Sequence, residues 1–573
     1  MAAKKEDEFN TGTTIERVLS DQTTDQDGVT AVRLDDIVLE KMADSIKNIG
    51  EVTQDAHVAT EFEKKMSFGQ AFRLYPKATM FSFVLSLSLI MEGYDTALLG
   101  GFFGYPSFQK RFGEPAGDGT YQLTASWQSG LQNGVQVGEI IGLWVAGFLA
   151  ERYGYKKTML GAMVMMIAVI FMMFFAQNIG MLFAGEILCG LPWGAFQTLT
   201  TTYAADIAPP VLRPILTTWN NACWVIGQTI STGVLRGLLH RTDQWGWRIP
   251  YATQWAWPIP IIIGILLAPE SPWWLVRHDR IDEAKKALQS LVSKSNTDYD
   301  VDRNIAMIIH TNAHEKAVSA GTSYKECFKG SDLRRTEIAC VVWIIQVTCG
   351  TWFGSNVTYF MEQAGLDPIQ SFDLGIGHNL MGLAGTIAAW WIFQVVGRRS
   401  LYLWGLFVMF WILIIVGFMG IPASSEAIAY ATGALMFIFT FAYGITVGPV
   451  CYCLVAEMPS TRLRIKTVAL ARNCFNIASI AANFLNNPIL NPTAWNLRGK
   501  GGFVWCGFAL LSWVWTYYRL PETRGLSPGE MDVLFEQKVP ARKFHSVKVD
   551  EFRAEHLKVD TSTDVLVPMV KQE

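Results

Sequence analysis

Apolar runs of about 20 residues with few charges, the length a helix needs to cross hydrocarbon, recur along the chain between short polar turns. They lie near residues 78–101, 126–150, 158–177, 180–204, 215–239, 251–268, 338–361, 371–394, 400–420, 427–455, 466–490 and 501–518. The pattern predicts an all-α membrane protein of twelve transmembrane helices. The runs form two sets of six, 78–268 and 338–518, around a polar block at 269–337. Within that block RHDRIDEAKKALQSL reads as a short amphipathic helix. Residues 1–77 and 519–573 are polar tails, and DDIVLEKMADSIKNIG in the first has the pattern of a surface helix.

Composition supports this reading. Only 17% of the 573 residues are charged, against roughly 25% in an ordinary soluble chain. A net charge of -3 is too small to point to nucleic acid. The opening MAAKKEDEFN has no apolar core, so no cleaved signal peptide is expected. Nine cysteines are scattered, and the one close pair, Cys451 and Cys453, lacks redox or zinc spacing. The chain shows no phosphate-cradling glycine loop with lysine, no metal-ligand spacing and no nucleophile triad. It therefore reads as neither an enzyme nor an ATP-driven pump, with no cofactor or metal, and a monomer is expected.

Basic residues in short loops mark the cytoplasmic side. Arg152, Lys156 and Lys157 follow the second run, Arg398 and Arg399 the eighth, and Arg462, Arg464 and Lys466 the tenth. With twelve spans these turns share one face, which places both tails and the central block in the cytoplasm.

Three short patterns occur once in each half, in the same order and at nearly the same spacing. Gly154 of GFLAERYGYKK recurs as Gly397 of FQVVGRR, Asp206 of YAADIAPPVLR as Glu457 of LVAEMPSTRLR, and Pro269 of APESPWW as Pro521 of LPETRG. The duplication predicts two six-helix bundles. Acids and bases at the helix ends are then candidates for a gating clasp that closes and breaks as the bundles rock. Its members are Glu151, Arg152, Lys156, Asp206, Arg213, Glu270, Arg398, Arg399, Glu457, Arg464 and Glu522. The plainer reading gives the basic residues a topological role alone.

These six motifs together resemble the sugar porter branch of the major facilitator superfamily, over roughly residues 70–535. AFRLYPKA leading into IMEGYDTALLGGFFGYPSFQKRFG is most similar to the fungal α-glucoside (maltose) permeases, which are proton symporters. The resemblance implies a proton-coupled sugar importer in the plasma membrane. The chain departs from the general pattern at Glu151, Tyr155, Gln394 and Val395, at Trp273, and at Glu186, where many sugar porters have an arginine beside the proton-carrying acid.

Two acids, Glu92 and Asp95, sit in the first apolar run, three residues apart and so on nearly one helix face. An ionised acid at mid-membrane costs about 2.5–3.5 kcal/mol and so faces a cavity, a partner or a proton. Such a group can load a proton from an acidic exterior and release it inside. By the resemblance, Asp95 matches the coupling acid of the GYDTA motif and Glu92 the extra acid of the α-glucoside permeases. Glu139 and Glu186 fall in the second and fourth runs, and Arg472 is the embedded base of the eleventh. A relay of Asp95, Glu92, Glu139 and Arg472 is expected, with Glu186 a further candidate; static pairing is the alternative.

A sugar site needs amides, which donate and accept at once, and aromatic planes, near the midplane between the bundles. The candidates are Asn220, Asn221, Gln346, Asn356, Tyr359, Tyr452, Asn473 and Asn476. The resemblance puts Gln346 on the sugar-contacting glutamine of span seven, Asn221 on a span-five glutamine position, and Tyr452 where a tryptophan is usual. Alternatively, each amide bridges two helices. The rival functions are transport of a hexose or another disaccharide, and a non-transporting sugar sensor.

Overall fold

The computed structural model describes residues 49–544 except 116–120, 210, 294–299, 320–322, 364, 423–425, 461–462, 525–530, 532–533 and 536. It also describes an antiparallel strand pair, Leu557–Asp560 with Val565–Pro568. The DDIVLEKMADSIKNIG stretch lies almost wholly outside the described residues.

Two helices, α1 (Ile49–Lys65) and α2 (Phe68–Leu74), precede the first apolar run. The first six runs then form α3 (Pro76–Phe102), a short α4 (Pro106–Phe112), α5 (Ala125–Tyr153), α6 (Tyr155–Phe174), α7 (Ile179–Ile207), α8 (Arg213–Leu238), α9 (Trp245–Thr253) and α10 (Pro258–Leu267). The central block forms α11 (Pro272–Arg277), α12 (Ile281–Leu291) and α13 (Val301–Ser319). The second set begins with α14 (Gly330–Thr348), α15 (Thr351–Ser355), α16 (Val357–Gln363) and α17 (Pro368–Val395). It ends with α18 (Arg398–Met419), α19 (Glu426–Ile445), α20 (Val447–Glu457), α21 (Arg464–Leu490) and α22 (Gly501–Arg519).

Among the described residues, eight helices are long and apolar enough by composition to cross a membrane. The remaining four expected spans also form as helices, and their sequences explain the shortfall. α8 carries two arginines and a run of Thr, Asn and Gln; α17 carries Asp373, His378 and Asn379; α22 is rich in Trp and Tyr. The seventh span is broken.

Three spans are interrupted, each for a local reason. Span six divides at a 3-10 turn, Gln254–Ala256, ahead of Pro258. Span seven breaks at Gly350, whose φ of 99° suits glycine, and again at Asn356. Span ten breaks at Thr446, because Pro449 lacks an N–H and its ring would meet the Ile445 carbonyl. Such breaks free backbone groups, which is tolerated at membrane depth only where protein satisfies them.

The chain divides into two compact units. One comprises Met1–Ala78, Asp206–Leu212 and Glu270–Thr322, and the other Thr79–Ala205, Arg213–Pro269 and Ser323–Glu573. In the first, α1 packs on α13, and α12 packs on α11 and α13. The amphipathic face of α12 buries Ala284, Ala287, Leu288 and Leu291. Ser293 N donates to the Leu74 carbonyl at 2.8 Å, and Trp274 stacks on His278 at 4.2 Å.

In the second unit, glycines let backbones touch. Gly138 and Gly142 of α5 face Gly190 and Gly194 of α7, and a Cβ on any of the four would strike backbone of the facing helix. Gly93 of α3 lies against the Trp224 backbone of α8, and Gly227 of α8 against Ile90 and Tyr94 of α3. Small residues at one-turn spacing are the usual means of such close approach. The two halves meet where α5 packs on α21 and α8 on α17.

Gly190→Leu should therefore cost about 3 kcal/mol or more and abolish the monodisperse peak of detergent-solubilised protein. Gly147→Ala, where an added Cβ meets nothing within 4 Å, should leave that peak unchanged.

Candidate functional site

The glycine contacts hold α5 against α7, and beside them stand two buried acids, Glu92 of α3 (0% exposed) and Glu139 of α5 (2% exposed). Between them and the second half stands Gln197 of α7. Its Nε2 donates to Glu92 Oε1 at 2.5 Å. From α21, Arg472 donates through Nε and Nη2 to Gln197 Oε1 at 3.0 and 2.5 Å. The guanidinium lies over the rings of Trp343 and Phe475, 4.8 and 4.5 Å from their centroids, a placement that stabilises a cation. Glu139 is within electrostatic reach of both Glu92 and Arg472. Two carboxylates facing one guanidinium are charge-balanced with one proton aboard.

Asp95 belongs to a second cluster, built within the first half. Its Oδ1 accepts from Gln254 Nε2 at 2.5 Å and its Oδ2 from Cys189 Sγ at 3.5 Å. Gln254 lies on the 3-10 turn that divides span six, so the break itself aims the amide at the acid. Glu186 is fully buried, with no hydrogen-bond partner within normal distance of either carboxyl oxygen among the described residues, and lies within reach of Asp95 and Tyr251. Glu92 and Asp95 thus leave one helix toward different partners. The structure joins Glu92, Glu139 and Arg472 around Gln197 and sets Asp95 beside Glu186. Sequence reading missed Gln197 and Gln254; an amide inside PWGAFQTLT is the signal that could have found the first.

Amides also join the halves at the end far from the basic turns. Asn483 Nδ2 donates to Asn133 Oδ1 at 2.9 Å, and Ser129 Oγ to the Asn483 carbonyl at 3.1 Å. Asn487 Nδ2 donates to Ser129 Oγ and Gln132 Oε1 at 3.2 and 2.9 Å. Between α8 and α17, Arg236 pairs with Asp373 at 2.7 Å, and Asn379 Nδ2 donates to Thr232 Oγ1 at 3.1 Å.

The proposed sugar ligands divide in two. Asn221 Nδ2 donates to Thr386 Oγ1 at 3.3 Å, and Tyr359 OH accepts from Gln128 Nε2 at 3.3 Å, so both join the halves. Asn220 Oδ1 accepts from Ser86 Oγ at 2.8 Å within the first half. Asn356 sits at the second break of span seven, its Oδ1 against Gly100. Nearer the arginine, Gln346 Nε2 donates to the Gly448 carbonyl at 2.9 Å, beside the break in span ten. Tyr452 stands edge-on to Trp343, with ring centroids 5.0 Å apart. Asn473 Nδ2 donates to the Ala469 carbonyl at 2.9 Å while its Oδ1 has no hydrogen-bond partner. Asn476 is fully buried, and neither end of its amide has a hydrogen-bond partner among the described residues.

On the basic turns, Lys156 Nζ donates to the Leu266 and Ala268 carbonyls at 2.6 and 3.1 Å, capping the end of α10. Asp206 Oδ2 accepts from Ser271 Oγ at 2.6 Å, and Glu270 Oε1 from Ser271 N at 3.1 Å. In the second half Glu522 accepts from Arg398 N and Arg399 N at 2.8 and 3.2 Å, an acid at the start of α18. Arg398 pairs with Glu457 at 3.4 Å, and Arg399 Nη2 donates to the Tyr517 carbonyl at 2.9 Å. The contacts just given each lie within one half. Glu151 and Arg152 are exposed, Arg152 lying over Tyr153 at 5.5 Å. The side chains of Arg213 and Arg464 lie outside the described ones.

Residues 81–535 match the profile of a family described as Sugar (and other) transporter. The chain is 40% identical to a maltose permease of Saccharomyces cerevisiae over 512 residues, 88% of this chain and 83% of that protein. It is 39% identical to a general α-glucoside permease of the same organism over 514 residues, 89% of this chain and 83% of that one. The solved structure of the proton:xylose symporter XylE with bound 6-bromo-6-deoxy-D-glucose superposes with a TM-score of 0.64 at 19% identity, over 80% of this chain and 99% of that one. The partially occluded, inward open form of XylE from E. coli gives 0.61 at 19% identity, over 79% and 100%. At that identity the likeness shows the fold, two six-helix bundles of the major facilitator type.

Cysteines introduced at Ser129 and Asn487 should cross-link spontaneously. After proteolytic cleavage between residues 294 and 299 the halves should then migrate together on a non-reducing gel. Separate migration would show that this end of the seam is open in the resting protein.

Proposed function

Because the chain belongs to the sugar (and other) transporter family, we propose that it is a proton-coupled importer of α-glucosides such as maltose. Its place is the plasma membrane, with both tails, the central block and the basic turns in the cytoplasm. The bundles are 78–268 and 338–518, and the protein works as a monomer. One observation carries the coupling: three buried acids, Glu92, Asp95 and Glu139, and a single arginine of the opposite bundle that reaches Glu92 through an amide and lies within electrostatic reach of Glu139. Maltose as the substrate is supported by the relatives, two of which are named for maltose and α-glucosides.

The mechanism follows from charge and geometry. Facing the outside, the acids take a proton and sugar enters between the bundles. Asn476, whose amide has no hydrogen-bond partner among the described residues, and Gln346 offer donor and acceptor to sugar hydroxyls. Tyr452 and Trp343 offer rings to its C–H face. With sugar bound and charge balanced, the bundles close outside and open inside, and the proton leaves to the cytoplasm. The Asn and Gln contacts far from the basic turns are those of a chain closed on the outer side. The charged contacts at the basic turns brace each bundle during the rocking motion. Glu186 beside Asp95 holds a second carboxyl near the carrier.

One proton falling through 100 mV supplies about 2.3 kcal/mol, enough for roughly fortyfold accumulation of sugar. Cells expressing the protein should alkalinise their medium on addition of maltose, more than on addition of glucose, and should concentrate labelled maltose. Asp95→Asn should let maltose equilibrate at best, without alkalinisation. An Asp95→Asn variant that still concentrates maltose overturns the coupling assignment.

A further inference from the structure

Gln197 holds the only described hydrogen bonds between the acids and Arg472, and neither its residue type nor its position follows from the acids being there. The amide is held at both ends. Its carbonyl oxygen takes two N–H groups of Arg472, and its amino group gives a hydrogen to Glu92. Only an amide of this length can do both. A carboxylate in its place would accept from Arg472 but confront Glu92 with a like charge, and an apolar side chain would do neither. The three residues come from α7, α21 and α3, so the bridge crosses the seam between the halves at the depth of the buried acids.

We propose that Gln197 is the positioning residue that transmits the charge state of Glu92 to the opposite bundle. This rests on the proton-symport reading above and deepens it. With Glu92 ionised, the amide dipole lies between an anion and a cation, and both hydrogen bonds are charge-assisted. With Glu92 protonated, the Glu92 end loses its charge assistance, the amide is freed to turn, and the grip on Arg472 weakens. Hydrogen bonds to charged groups differ from neutral ones enough to change such an equilibrium by on the order of tenfold. The groups facing this bridge are Glu92 and Trp224 of the first half, Glu139 of α5, and Arg472, Trp343, Tyr443 and Tyr452 of the second. Arg472 is the one cation among them, so release of the bridge frees the cation that balances the acids. Loading a proton and loosening the seam become one event.

The test compares wild type, Gln197→Met and Gln197→Glu in vesicles containing the whole chain. Two quantities are followed: maltose accumulation across a range of external pH, and maltose exchange at equal concentration on both sides. Gln197→Met should keep exchange within about threefold of wild type, while accumulation falls to equilibration and its pH dependence flattens. Gln197→Glu should slow exchange about tenfold, because a direct ion pair with Arg472 holds the halves together. A Gln197→Met protein that accumulates maltose with the wild-type pH profile overturns the inference, and so does a Gln197→Glu protein with unaltered exchange. The second variant decides the matter if the first does not reach the membrane. A wild type indifferent to the protonmotive force overturns the underlying symport reading, whereas a coupled wild type beside a coupled Gln197→Met overturns this inference alone.

Discussion

A guanidinium set within a membrane helix cannot be left to itself, and the partners of Arg472 organise the whole site. Its own bundle supplies two aromatic faces, Trp343 and Phe475. The opposite bundle supplies the carbonyl of Gln197, and behind it the carboxylates of Glu92 and Glu139. A charge shared in this way ties the two halves together. Removing the tie without replacing it would strand a cation or an anion in a poor solvent for either, which is why a mobile proton is the natural third member.

The bundles themselves are stiff where they need to be. Gly138, Gly142, Gly190 and Gly194 bring α5 and α7 into backbone contact, and that contact sets Glu139 and Gln197 relative to each other. Packing of this kind has one good arrangement, which holds α5 and α7 as a pair. The seam between halves is made differently. At the end far from the basic turns it consists mainly of neutral amide and hydroxyl contacts such as Asn483 to Asn133 and Asn487 to Gln132. Contacts of that kind are worth on average about 0.6 kcal/mol each within membranes. A handful of them is comparable with the energy of one proton crossing 100 mV, so on the proposed reading the seam can hold and still be opened.

The breaks in spans six, seven and ten serve the same end. Two of them expose backbone or an amide just where a polar partner is wanted: Gln254 at Asp95 and Gly448 at Gln346. Proline and glycine mark these positions in the chain. The marks show that a helix will yield there, and they do not show what the opened segment will touch. The seventh span reads as one apolar run from residue 338 to 361, yet it forms three helical pieces.

The sequence by itself was sufficient for the architecture. Apolar runs of membrane length, a polar interval between two sets of six, and three repeated turn motifs follow from hydrocarbon thickness and gene-scale duplication, and both leave periodic marks. It was also sufficient to single out the costly residues, because an acid or an arginine in an oily run needs a reason wherever it points. Which acid meets which partner was decided only by tertiary structure. Glu92 and Asp95 lie three residues apart on one helix, yet one reaches across to α7 and α21 while the other meets Gln254 and Cys189. Spacing along a chain fixes the angle at which side chains leave a helix, whereas the identity of the neighbour there depends on how the other helices are packed. Gln197 carries no charge and breaks no pattern, so only the folded molecule shows it between the two halves.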